Sequence, residues 1–278
     1  MSLDFAFLDS GTGGLPYMGY LKEACPCASC LYLADTKNFP YGEKTPGQVV
    51  AAATQAVELV LSRFNPRAFV LACNTMSVTA LPHLRERFPQ VKFIGTVPAI
   101  KVAAARTRNK VVGLLATEAT VCHPYTRRLM EDFAAGCRVV SRGDGQLIRF
   151  IEEHLLSQDR ELYLEAARPA VEFFLERGAD TIVLGCTHFL HIAQEIQLLA
   201  GKQVLVVDSR EGVIRQALRI RSQSAPEACQ EPAAAPTIDS DAAPGPGFFV
   251  SQLTSPQVAA YYQQLCHQFS IPWGGLLE

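Results

Sequence analysis

Apolar residues in this chain alternate between short runs and longer stretches at helical spacing, almost from one end to the other. Asp4 to Leu8 reads as a strand, and Asp9-Ser10-Gly11-Thr12-Gly13-Gly14 turns it sharply into a helix from about Leu15. Leu31 to Ala34 is a second strand, and Thr45-Pro46 marks a helix start with an N-cap and a proline at the first helical position. Val49, Ala53, Val57, Val60 and Phe64 then recur at helical spacing. The strand Ala68 to Cys73, a helix to about Phe88 and the strand Lys92 to Gly95 complete a first half.

The second half repeats the plan. Lys110 to Ala116 is a strand, and Thr120 is expected to start the following helix. Helices over Gln146–Leu156 and Glu161–Arg177 lead into the strand Thr181 to Cys186; a helix to Leu199, the strand Gln203 to Val207 and a helix capped by Asp208-Ser209 follow. This βα alternation predicts an α/β protein of two similar doubly wound domains, each with a mostly parallel sheet, enclosing a cleft. Boundaries are expected at 1–98 plus 209–278 for the first domain and 99–208 for the second. Residues 222–246 are rich in Ala, Pro, Ser and acids and nearly devoid of large apolar side chains, so they read as a mobile low-complexity loop. Phe248 to Val250 offers one more strand, and Val258, Tyr261, Tyr262, Leu265 and Phe269 a last amphipathic helix packing back onto the body.

Two cysteines change the picture from fold to chemistry. Cys73 closes Ala68-Phe69-Val70-Leu71-Ala72 and precedes Asn74-Thr75; Cys186 closes Thr181-Ile182-Val183-Leu184-Gly185 and precedes Thr187-His188. Each thiol is therefore expected at the carboxyl end of a buried strand, facing a helix N-terminus. That position favours thiolate over thiol. A single buried cysteine is usually only a small apolar residue. Two in matched contexts point instead to a pair of thiols facing one site. Neither has C-x2-C spacing, so a metal is not expected, and no arginine follows Cys73 at the spacing a phosphate-holding cysteine needs.

Other motifs narrow the range. Gly11, Gly13 and Gly14 do not fit the dinucleotide fingerprint, so the turn after Asp9 reads as a carboxylate beside backbone N–H groups. Cys25, Cys27 and Cys30 form C-x-C-x2-C interrupted by Pro26 and read as structural. A net charge of −2 over 278 residues, with no block of like charge, argues against nucleic acid or a membrane surface as partner. A strand begins almost at the first residue, leaving no room for a signal peptide, and nine cysteines then read as free thiols in a reducing cytoplasm.

Taken in order, Leu8 to Leu15, Asp35 to Gly42, Ala72-Cys73-Asn74-Thr75, Ala116 to Val121, Gly185-Cys186-Thr187-His188 and Asp208-Ser209 resemble the glutamate racemases, within the cofactor-independent aspartate/glutamate racemase family. The resemblance implies two α/β domains with the substrate between them. It also implies interconversion of L- and D-glutamate without a cofactor, supplying D-glutamate for peptidoglycan. Residue by residue, it makes Cys73 the base toward D-glutamate and Cys186 the base toward L-glutamate, assisted by Asp9 and His188 respectively. Ser10, Tyr41, Gly42, Asn74, Thr75, Thr117, Thr120 and Thr187 would hold the substrate; a homodimer is left open. One departure stands out. The family carries a glutamate in a Pro-Leu-Val-Glu-like stretch of the second domain, where this chain has Cys137-Arg138-Val139-Val140 and then Asp144 as the nearest acid. The competing expectations are a racemase of aspartate or a hydantoin, and a small-molecule binding protein without turnover.

Overall fold

The computed structural model describes residues 3–224 and 246–278. In chain order the first part contains β1 (Leu3–Asp9), α1 (Leu15–Ala24), β2 (Cys30–Ala34), α2 (Pro46–Arg63), β3 (Pro66–Leu71), α3 (Asn74–Arg87) and β4 (Phe93–Gly95). There follow α4 (Ile100–Arg106), β5 (Val111–Ala116), α5 (Glu118–Cys122), α6 (Pro124–Ala134), β6 (Arg138–Gly143), α7 (Gly145–His154), α8 (Arg160–Glu176), β7 (Thr181–Leu184), α9 (Ala193–Ala200) and β8 (Leu205–Val207). The chain then continues through α10 (Arg210–Ser224), β9 (Phe248–Val250), α11 (Pro256–Gln268) and β10 (Trp273–Leu276).

These strands make two sheets, one ordered β10-β9-β2-β1-β3-β4 and the other β6-β5-β7-β8. Every pairing is parallel. Parallel strands covered on both faces must be apolar throughout, and β1, β2 and β7 are buried at every position. Helix starts follow local chemistry: Thr45 and Gln48 form a reciprocal capping box ahead of Pro46. Thr117, not Thr120, caps the helix after β5, because its hydroxyl accepts from the Thr120 N–H at 3.0 Å.

The tail returns to the body as its apolar spacing requires. Phe248 stacks between Tyr32 and Tyr262 at centroid distances of 5.2 and 5.7 Å. The hydroxyl of Tyr261, on α11, donates to the Glu152 carbonyl on α7 at 2.8 Å, tying the tail to a helix that lies between β6 and β7 of the second sheet. Two strands were harder to anticipate. β10 contains Gly274 and Gly275, and β6 carries Arg138 and Arg142 at its sheet edge, so both lack the apolar run of a central strand. Most of the low-complexity stretch over 222–246 lies outside the described residues; α10 occupies its first positions.

Candidate active site

The carboxyl ends of both sheets converge on one small cavity. Asp9 and Ser10 close β1, Cys73 lies two residues past β3, Thr117 follows β5 and Cys186 lies two residues past β7. With Tyr41, Gly42, Asn74, Thr75, Thr187 and His188, they line a space of about 80 Å³. That is far below the roughly 300–1,000 Å³ of sites for drug-sized ligands, and it suits a small metabolite. A larger groove of about 710 Å³ runs among Phe93, Pro98, Phe133 and Arg210. It contains neither of these cysteines, so size and chemistry disagree; the chemistry locates the site.

Cys73 and Cys186 thus meet across the two sheets, as their matched contexts suggested, but their surroundings differ. Cys73 is 6% exposed and Cys186 7%. Burial, followed by the charge of Asp9, pushes the Cys73 thiol well above its ordinary range. This corrects the sequence expectation for that residue. A helix N-terminus favours thiolate, but desolvation and a neighbouring carboxylate outweigh it.

Cys186 has a different neighbour. Its sulfur lies 3.8 Å from His188 Nδ1, and His188 Nε2 lies 2.9 Å from Glu152 Oε2. Burial opposes charge on the imidazole, yet its bonds to Cys186 and Glu152 raise its titration well above the ordinary histidine range. Burial likewise opposes charge on Glu152, but the His188 bond and donors from Thr12 hold its carboxyl below the usual range. The Thr12 N–H donates to both carboxylate oxygens at 3.1 Å, and its hydroxyl donates to Oε2 at 2.5 Å. The imidazole thus stands between the Cys186 sulfur and the Glu152 carboxylate, and the carboxylate favours its charged form.

Glycines allow this approach. A Cβ on Gly11 would stand 2.7 Å from Glu152 Oε1, and one on Gly13 would overlap the His188 ring. The Gly11-Thr12-Gly13 segment is thus a close backbone seat for the second half's acid and imidazole, beyond its service as a βα turn.

Glu152 is the residue that sequence reading missed. Asp144 does not take its place: it accepts from the Leu147 N–H at 3.0 Å as the N-cap of α7 and pairs with Arg142 at 2.9 Å. The signal was present but quiet. Leu147, Ile148, Ile151 and Leu155 form the buried stripe of α7 and its end, and Glu152 lies on that stripe, four residues after Ile148. A carboxylate on an apolar stripe is the informative exception.

Asp9 is fully buried. It accepts from the Ser10 N–H at 2.6 Å and from the Thr187 hydroxyl at 2.9 Å, so it touches the second half as well as the first. Desolvation raises its carboxyl from 3.8 to about 6, against the lowering effects of His188, Thr187 and Ser10. The folded state therefore holds a proton that the unfolded chain releases between those two pH values. Stability should fall as pH rises through that window, by about 3 kcal/mol in all. We expect Asp9→Asn to flatten this dependence and to raise the melting temperature at pH 7–8, as measured by thermal unfolding across pH 4–8.

The hydroxyl residues divide into two groups. Thr75 and Thr117 line the cavity and lie 3.0 Å apart at their oxygens. Thr120 stands behind them, fully buried and bonded to both. Tyr41 lines the cavity, but its hydroxyl is committed to Asp35 at 2.6 Å. Gly42 leaves room for Thr117, whose Cγ2 would stand 2.8 Å from an added Cβ. Asn74 Oδ1 is buried in the lining with no hydrogen-bond partner among the described residues, an acceptor suited to an ammonium group. Away from the cavity, Cys25 and Cys27 touch at 3.5 Å. Among the described residues no cluster of three or more His, Cys, Asp or Glu could hold a metal.

Two facing parallel sheets with a thiol from each in a common cavity are an architecture shared with known enzymes. The Asp/Glu/hydantoin racemase family profile matches residues 20–217, and the chain belongs to that family of isomerases. It is 40% identical over 274 residues to glutamate racemase of Treponema pallidum (strain Nichols), spanning 99% of this chain and 96% of that protein. Against glutamate racemase of Pectobacterium atrosepticum it is 38% identical over 210 residues, covering 75% and 73% of the two chains. The crystal structure of Escherichia coli glutamate racemase, in complex with L-glutamate and the activator UDP-MurNAc-ala, matches with a TM-score of 0.82 at 30% identity, covering 99% of this chain and 97% of that one.

Proposed function

We propose that this chain interconverts L- and D-glutamate without a cofactor, using Cys73 and Cys186 as acid and base on opposite faces of Cα. The observation that carries the reading is the contrast between the two thiols in one cavity. Racemisation in either direction needs one thiolate and one thiol. Cys186 beside the charged His188 is poised to take the α-proton of L-glutamate, while Cys73, held protonated by burial and Asp9, is poised to deliver one to the other face. In the reverse direction the roles exchange, and Asp9, titrating at about 6, is near enough to neutrality to accept the proton that Cys73 must lose.

The α-proton is far less acidic than a thiol, so positioning and preorganised donors must supply most of the rate enhancement. Ser10, Asn74, Thr75, Thr117 and Thr187 bring hydroxyl, amide and backbone groups to the lining. In our reading they hold the two carboxylates and the ammonium group, with Asn74 Oδ1 receiving the latter. The two sheets belong to two domains, divided at 98/99 and 208/209, that close over the substrate. The likeness to glutamate racemases over nearly the full chain supports a cytoplasmic protein that provides D-glutamate for peptidoglycan.

Substrate length is the test. A cavity fitted to glutamate leaves its γ-carboxylate donors unpaired when aspartate binds, and unpaired buried donors discriminate strongly. Polarimetric assay of both acids should give kcat/KM for glutamate at least about a hundredfold above that for aspartate. Equal rates, or activity only with aspartate or a hydantoin, would move the assignment elsewhere in the family.

A further inference from the structure

His191 is a half-buried ionisable side chain that the proton transfers above do not use. It sits in the 3-10 segment Thr187–Ile192, three residues past His188. Its Nε2 lies 3.1 Å from the Thr12 carbonyl, which also accepts from the Leu15 N–H at 3.1 Å. Thr12 is the residue whose N–H and hydroxyl grip Glu152. The contacts therefore run without a break from His191 through Thr12, Glu152 and His188 to Cys186.

We propose that His191 is a positioning residue: its Nε2–H donates to the Thr12 carbonyl, fixes the Gly11-Thr12-Gly13 backbone and thereby holds Glu152 against His188. The inference rests on the reading of Cys186 as a base.

The chemistry of the position supports a histidine in this role. A carbonyl oxygen only accepts, so the ring nitrogen facing it must carry the hydrogen. Burial first, and then the charge of His188, push the titration of His191 down to about 4; Arg210 acts in the same direction, while Thr12 and Glu152 oppose it. The ring is neutral at working pH. A charged donor in its place would repel the His188 imidazolium and weaken the state that Cys186 needs. An aliphatic side chain would fill the volume but leave the Thr12 carbonyl with one donor fewer. Phe269 packs edge-on against the ring at 5.9 Å, so its orientation is fixed from the tail as well.

The first test uses the native protein. Nitrogen-15 NMR of the assigned imidazoles should show His191 as the Nε2–H tautomer, with shifts constant from pH 5.5 to 8.5. An Nδ1–H tautomer, or titration within that range, overturns the proposal without any variant. The second test compares His191→Leu with His191→Gln, whose amide can donate from a similar position. In His191→Leu, alkylation of Cys186 by iodoacetamide at pH 7 should slow about tenfold, the size of one lost hydrogen bond, while Cys73 alkylation is unchanged. The drop in racemisation should appear in kcat with KM within about twofold, and His191→Gln should recover most of both losses. An unchanged Cys186 rate in folded His191→Leu, or equal slowing at both cysteines, contradicts the proposal. If His191→Leu does not fold, the tautomer and the Gln variant decide. Tautomer and alkylation are read without turnover, so a native protein that fails to racemise glutamate would refute the functional reading and leave this one standing or falling on its own data.

Discussion

Replacing either Cys73 or Cys186 by serine is expected to lower net racemisation about a thousandfold or more, and to do so in both directions. Net racemisation needs a group on each face of Cα, so losing either leaves a carbanion that only the original face can quench. Serine preserves the shape but is a far weaker acid than a thiol and offers no useful base at neutral pH. The equilibrium constant between enantiomers is one, so any variant must lower kcat/KM equally in the two directions. The asymmetry of the site appears instead in half-reactions. Cys73→Ser keeps the Cys186–His188 pair and should still exchange the α-proton of L-glutamate with solvent, while Cys186→Ser should exchange only that of D-glutamate. Proton NMR of each enantiomer in deuterated water measures this, and full racemisation by either variant would remove the two-thiol account.

The second large effect separates two carboxylates. Glu152→Gln keeps the side chain's size and its contact with Thr12 but removes the charge that sustains the His188 imidazolium; kcat/KM should fall about a hundredfold. Asp144→Asn should stay within about threefold of the native rate, because asparagine serves as well as aspartate at a helix N-cap and only the Arg142 contact weakens. Steady-state kinetics and melting curves of the two variants side by side decide this. The reverse order, with Asp144→Asn inactive and Glu152→Gln near native, would show that the acid sequence reading looked to first was the right one.

That pair also marks where sequence reading stopped. The strand-end residues were legible because β1, β3, β5 and β7 are apolar runs followed by polar turns, and strand ends in parallel sheets share one side. Asp9, Ser10, Cys73, Asn74, Thr75, Thr117, Cys186, Thr187 and His188 all reach the cavity for that reason. Glu152 lies inside a helix, followed by Glu153 and His154, where charged residues normally face water. Its place depends on α7 packing beside the Thr187–Ile192 turn and on two glycines that admit its carboxylate, which are facts of tertiary structure. The environment of each thiol was equally hidden. Matched local sequences suggested matched surroundings, whereas each thiol meets a different partner brought in from another element: Asp9 at the end of β1 for Cys73, and Glu152 on α7, acting through His188, for Cys186. His191 escaped notice because its acceptor is a backbone carbonyl 179 positions away in sequence.

The most direct test of the central claim is the fate of deuterium at early times, with either enantiomer as substrate in deuterated water. If two thiols act from opposite faces, product formed in the first few per cent of reaction carries deuterium at Cα and the remaining substrate carries almost none, in both directions. The proton removed by Cys186 stays on its own face while Cys73 delivers one derived from solvent, and the converse holds for D-glutamate. Early deuterium in the unreacted enantiomer, or product that keeps the substrate's own proton, would show a single base serving both faces and would contradict the account.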